Sequence, residues 1–172
     1  MASQKDKVDF FDPSHITEPL QKAREFGIND GNPHATSDRD KWAYTTTNGD
    51  PCKWNAHVTN EKEVELQFVP LDHNIPEEHL CDGVLYTKGK ERVIFIELKS
   101  GEKRWIQKGV EQLKNTLSHL DDDFINSEER VVMAYLCNSS HPHFAFSHRK
   151  EMQEFRNSER VRLYIQRDID KF

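Results

Sequence analysis

No run in this sequence is apolar for the roughly 20 residues that a membrane-crossing helix needs. The opening Met-Ala-Ser-Gln-Lys-Asp-Lys lacks the apolar core of a secretory signal. Cysteine is equally sparse. Cys52, Cys81 and Cys137 are odd in number and none is spaced Cys-x-x-Cys, so neither a disulfide framework nor a zinc site is indicated. A reducing cytoplasm is the expected location. Positive charge is not in excess either. At a net charge of −6 and a pI near 5.8, the chain is not one that coats nucleic acid by bulk electrostatics. With 35% hydrophobic residues and a mean hydropathy of −0.87, the expected core is small and the surface heavily charged. The length of 172 residues points to one domain spanning 1–172.

What is present is a succession of short periodic segments. Residues 1–11 are polar and expected to be disordered. Thr17 is placed to cap a short helix over 18–26, with Pro19 in its first turn and Gly27 closing it. An irregular loop then runs to Arg39. Runs 42–47, 54–58 and 64–68 alternate at period two and predict an antiparallel meander with one buried face. Ile106, Val110, Leu113, Leu117 and Leu120 recur at helical spacing over 104–120, with Gln112 beside that stripe in line with Lys108 and Thr116. Val131 to Cys137 reads as a central strand covered on both faces, 148–157 as a helix and 161–165 as a closing strand.

The densest signal lies between Asp82 and Lys99. Gly83 to Ile96 reads as a hairpin turning at Gly89-Lys90, where a glycine in the first central position suits a type II′ loop. That register sets Tyr86 against Val93, Val84 against Phe95, and Asp82 against Glu97. Side chains alternate along a strand, so Glu97 and Lys99 share one face and Leu98 takes the other. Directly opposed carboxylates destabilise a strand pair unless something positive lies between them. A hard cation such as Mg²⁺ answers that need, because it takes oxygen ligands and often only one or two protein carboxylates. A lone Glu-x-Lys would most often be a strand end emerging into solvent. Asp82 in register and the apolar run before Glu97 argue against that here.

Asp82, a hairpin, Glu97-Leu98-Lys99 at the end of an apolar strand, and Gln112 on the following helix resemble the PD-(D/E)xK nuclease superfamily. The motif residues span 82–112 and the order of elements matches over about 54–166; Cys81 stands where that pattern usually has proline. The resemblance implies an α/β fold with a single restriction-endonuclease-like core, a mixed β-sheet flanked by helices. It implies that Asp82, Glu97 and the backbone carbonyl of Leu98 bind Mg²⁺, with Mn²⁺ substituting, and that Lys99 and Gln112 complete the catalytic set. Many members add a glutamate from the first helix; Glu18 and Glu25 are the candidates, with Asp72, Glu77 and Glu78 as alternatives. The implied partner is nucleic acid, DNA favoured over RNA, with no membrane and with a homodimer or partner subunit open. The implied activity is that of a DNA endonuclease of defence, recombination or mobile-element type. An accessory interaction module keeping the nuclease fold, or an RNA-cleaving effector, is the alternative. Lys99, Lys103, Arg104, Lys108 and Lys114 offer a phosphate-contacting edge, or simply a solvated helix face. His141-Pro142-His143 with His148 looks like a metal pair but has no Cys or carboxylate to complete it, so a surface loop is expected. Trp42, Trp54 and Trp105 are expected to cover the core.

Overall fold

Two mixed sheets lie face to face, and the larger carries helices on its other side. The computed structural model describes residues 7–101, 103–140 and 148–172. Its strands are β1 Glu25–Asn29, β2 Tyr44–Thr46, β3 Ala56–Thr59, β4 Leu66–Pro70, β5 Gly83–Thr87, β6 Arg92–Lys99, β7 Val131–Asn138, β8 Arg162–Ile165 and β9 Asp168–Ile169. The helices are α1 Trp105–Leu117, α2 Asp122–Ile125 and α3 Arg149–Glu159. The main sheet has the order β4-β5-β6-β7-β8, antiparallel up to β6 and parallel from β6 to β8. The smaller has the order β2-β1-β3-β9.

Alternation along β6 divides the core between these layers. Val93 and Phe95 face Trp105, Leu113 and Leu117 of α1 and Phe155 of α3. Ile94, Ile96 and Leu98 face Phe26, Ile28, Ala56 and Val58 of the small sheet. Strands buried on both sides read as continuous apolar runs, as β6 and β7 do. Helix α1 sits close because residue 109 is glycine: a Cβ there would lie 2.4 Å from Leu136 Cδ1. Its buried face centres on Trp105, Gly109, Leu113, Thr116 and Leu117, with Ile106 and Val110 at the margin. Trp54 and Trp105 are buried, as expected of core cover.

Four expectations are corrected. Segment 18–26 is not a helix: Gln21 pairs with Leu66 and Glu25 onward forms β1, because burying Phe26 and Ile28 between strands outweighs a local helical preference. The three alternating runs do not form a sequential meander. β1 lies between β2 and β3, and β4 joins the main sheet. Residues 7–11 are not disordered, since Phe10 is fully buried and packs edge-on against Phe95; residues 1–6 lie outside the described residues. The β5–β6 turn is closed by Lys90 N–H donating to Thr87 O, and it is Lys90 (φ 58°), not Gly89, that is left-handed. The register nonetheless follows the expectation, with Val84 opposite Phe95 and Tyr86 opposite Val93. Among the described residues no helix is long and apolar enough to cross a membrane.

Candidate active site

β6, β7 and β8 run parallel and β5 opposes them, so the start of β5 and the ends of the other three meet at one end of the main sheet. Asp82 precedes β5 there, and Glu97, Leu98 and Lys99 close β6. The last β5–β6 pair is Gly83–Ile96. Beyond it side chains replace the ladder: Asp82 N–H donates to Glu97 Oε2 at 3.2 Å, and Leu98 N–H donates to Asp82 Oδ2 at 2.6 Å. Lys99 Nζ lies 2.7 Å from Glu97 Oε1 and donates to Gln112 Oε1 at 2.7 Å. Gln112 also donates to the Leu80 carbonyl at 3.4 Å. The four residues picked out by sequence thus form one hydrogen-bonded chain.

Helix α1 fixes the approach to Asp82. Thr116 Oγ1 accepts from Cys81 N–H at 2.7 Å and donates to Gln112 O at 2.9 Å, so one hydroxyl ties the start of β5 to the turn bearing Gln112. Beyond Lys99, buried Asn138 at the end of β7 accepts from Ser140 and Gly101 N–H, bracing the turns after β6 and β7.

Burial sets the electrostatics. Glu97 is 1% exposed and Asp82 9%. Desolvation raises the Glu97 carboxyl to about 7 against the opposing pull of Lys99. Asp82 is pushed well above the ordinary carboxylate range, first by burial and then by the charges of Glu97 and Asp30. Asp30 is itself raised, by burial and by Asp72, and lowered by His73 and Lys99. The cleft therefore gathers carboxyl groups around one lysine and holds protons that free carboxyls would release.

Asp30 was missed in the sequence, where Asn29-Asp30-Gly31 reads as loop. It follows β1 and is held by Asn55, whose Oδ1 accepts the Asp30 N–H at 2.9 Å. Only the small sheet's pairing brings it to the cleft. Its sequence signal is the alternation of Phe26 and Ile28 just before it, hidden by the helical composition upstream. Of the alternatives in the loop, Asp72 acts on Asp82, Glu97 and Asp30. Neither Glu18 nor Glu25 joins the site, since no helix carries them there. Glu18 accepts from Thr45 N–H and Oγ1, and Glu25 lies 2.6 Å from His57 Nε2. Glu78 is exposed. His141 and His143 lie outside the described residues, and His148 approaches Glu151 at 3.7 Å.

A hard cation fits this donor set. Asp82, Glu97 and the Leu98 carbonyl supply only oxygen, and the carboxylates are buried with less positive charge than they carry negative. Among the described residues no three His, Cys, Asp or Glu side chains are grouped as a metal site. Mg²⁺ needs no such cage, since it keeps several waters and uses one or two carboxylates together with substrate phosphate. Compared with protein-family models, curated proteins and solved structures, the chain matches none.

Proposed function

We propose that this chain is a Mg²⁺-dependent nuclease hydrolysing phosphodiester bonds, with DNA the favoured substrate. The observation that carries the reading is the linked set Asp82, Glu97, Lys99 and Gln112 at one end of the sheet. A divalent cation bound by Asp82, Glu97 and the Leu98 carbonyl would polarise phosphoryl oxygens and acidify a bound water. The chain's own contribution centres on Lys99. Its side chain is 15% exposed and its ammonium is aimed by Glu97 and Gln112, so it would meet developing negative charge with little reorganisation. Nothing in these groups reads a base, and RNA cleavage rests on the same chemistry. DNA is preferred because the resembling families mostly cut it.

An accessory module that keeps this fold is the second reading, favoured by the acidic balance of a small chain, with a net charge of −6 and a pI near 5.8. Incubation with supercoiled plasmid, linear duplex, single strand and RNA, each with Mg²⁺, Mn²⁺ or EDTA, separates the two. The nuclease reading expects metal-dependent cleavage that disappears in EDTA and in Asp82→Asn. Intact substrates throughout transfer the conclusion to the accessory module.

A further inference from the structure

Helix α3 segregates its charges. Its acids turn toward cations: Glu151 approaches His148, Glu154 lies 3.9 Å from Lys150, and Glu159 lies 4.0 Å from Lys114 of α1. Its arginines turn the other way, into a groove of about 410 Å³ along the outer edge of β8. The groove is lined from α3 by Arg149, Met152, Gln153 and Arg156, from β8 by all four of its residues, Arg162 to Ile165, and from just past β8 by Gln166; no carboxylate lines it. Neither Arg156 nor Arg162 has an ion-pair partner among the described residues. Arg162 Nη1 instead donates to Tyr164 Oη at 3.4 Å, and that ring stacks on buried Tyr135 with centroids 4.7 Å apart. A guanidinium steadied by a stacked phenol is presented to solvent rather than neutralised.

The placement relates this groove to the candidate active site. β8 is the last strand of the sheet and runs parallel to β6 across β7. Its Gln166 end lies at the Lys99 end of the sheet, about 10 Å across at ordinary strand spacing. α3 returns antiparallel to β8, so Arg149 lies at the active-site end and Arg156 two turns farther away, again about 10 Å. In a chain of net charge −6, the charged residues that line the groove are Arg149, Arg156 and Arg162, all positive. The cationic strip is local, elongated and begins beside the cleft.

We propose that the α3–β8 groove is a phosphate-backbone track that holds nucleic acid at a distance from the scissile bond. The proposal rests on the nuclease reading for its direction into the cleft. Elongated cationic surfaces suit a polyanion of regular charge spacing, and arginine's planar fork pairs phosphate bidentately. An acidic protein segment paired along the β8 edge is the competing occupant.

The test uses the full chain carrying Asp82→Asn, with a fluorescent 30-mer duplex and anisotropy titrations over a range of salt. Arg156→Gln with Arg162→Gln should weaken binding and flatten the log K against log salt slope by roughly 2, since each duplex phosphate contact is worth about 0.9. Lys53→Gln with Lys62→Gln removes the same charge at the small sheet and should leave the slope alone. Both arginines are exposed, and circular dichroism checks that the variants fold. An unchanged slope in the arginine pair, equal loss in both pairs, or binding of an Asp/Glu-rich peptide in place of DNA would overturn the track. Cleavage by the chain with Asp82 intact is scored separately. Cleavage with an arginine-independent slope removes the track and leaves the nuclease reading. Arginine-dependent binding without cleavage does the reverse.

Discussion

Glu97 and Lys99 hold opposite charges 2.7 Å apart, with the carboxylate almost wholly buried. Removing one partner of such a pair leaves the other uncompensated, which typically costs about 3–5 kcal/mol. Lys99→Ala should therefore lower stability in EDTA, and added Mn²⁺ should restore it in a thermal-shift assay. Cleavage should fall about 10²–10³-fold or more even with the fold restored. Activity within a few-fold of wild type would make Lys99 a structural counter-ion only. The pH dependence has a definite sign. The carboxyl of Glu97 rises from its ordinary 4.5 to about 7 on folding, so the folded state holds the proton more tightly. That contribution is complete below 4.5 and is lost as the pH climbs through 7. In EDTA, wild type should lose melting temperature between pH 5 and 8 relative to Glu97→Gln, in which this titration is absent. Parallel profiles for the two proteins would show that Glu97 ionises freely.

At the scale of elements, the β5–β6 hairpin, α1, β7, α3 and β8 were legible because local pattern and tertiary environment agree there. Asp82 could be set opposite Glu97 from sequence because strand register changes a side chain's face with every residue. Neither β1 nor β9 was legible. Glu18 to Glu25 is made largely of helix-compatible residues, and only pairing with distant β3 and Leu66 shows it to be extended. The two-residue β9 is defined by its partner alone. Asp30 was lost with β1, so the part of the site supplied by the small sheet was invisible while the hairpin part was not. The seat of α1 offers a test of positioning. Gly109→Ala adds a methyl where Leu136 Cδ1 would be 2.4 Å away, in a packed core. Overpacking of this kind costs about 1–3 kcal/mol, more than the roughly 1 kcal/mol gained in helix propensity. Calorimetry should find the variant less stable, and Gln112 moving off Lys99 should slow cleavage. In a Leu136→Ala background the added methyl should cost nothing or stabilise, a coupling readable from the double-mutant cycle. Additive effects would mean that α1 adjusts without strain.

The molecule as a whole gathers carboxyl groups at the Lys99 end of the main sheet, with Asp82 and Glu97 on its α1 side and Asp30 following β1 of the small sheet. Such a cleft carries a stability cost that a cation would remove, so the proposed metal site predicts that folding and cation binding are linked. At a cation concentration about 100 times Kd, linkage adds about 2.7 kcal/mol. For a chain of this size that is roughly 5–10 °C in melting temperature. Asp82→Asn separates the two terms. Its amide oxygen can still accept the Leu98 N–H that Asp82 Oδ2 accepts now, while the carboxyl whose ionisation burial penalises is gone. The variant should be more stable than wild type in EDTA at pH 8, yet gain little from Mn²⁺. Wild type should be the less stable protein without metal and overtake the variant as Mn²⁺ rises. A variant that is less stable in EDTA would mean that the carboxylate pair is already compensated inside the fold. A variant that keeps the full Mn²⁺ response would locate the cation away from Asp82, and the nuclease reading would lose its metal site.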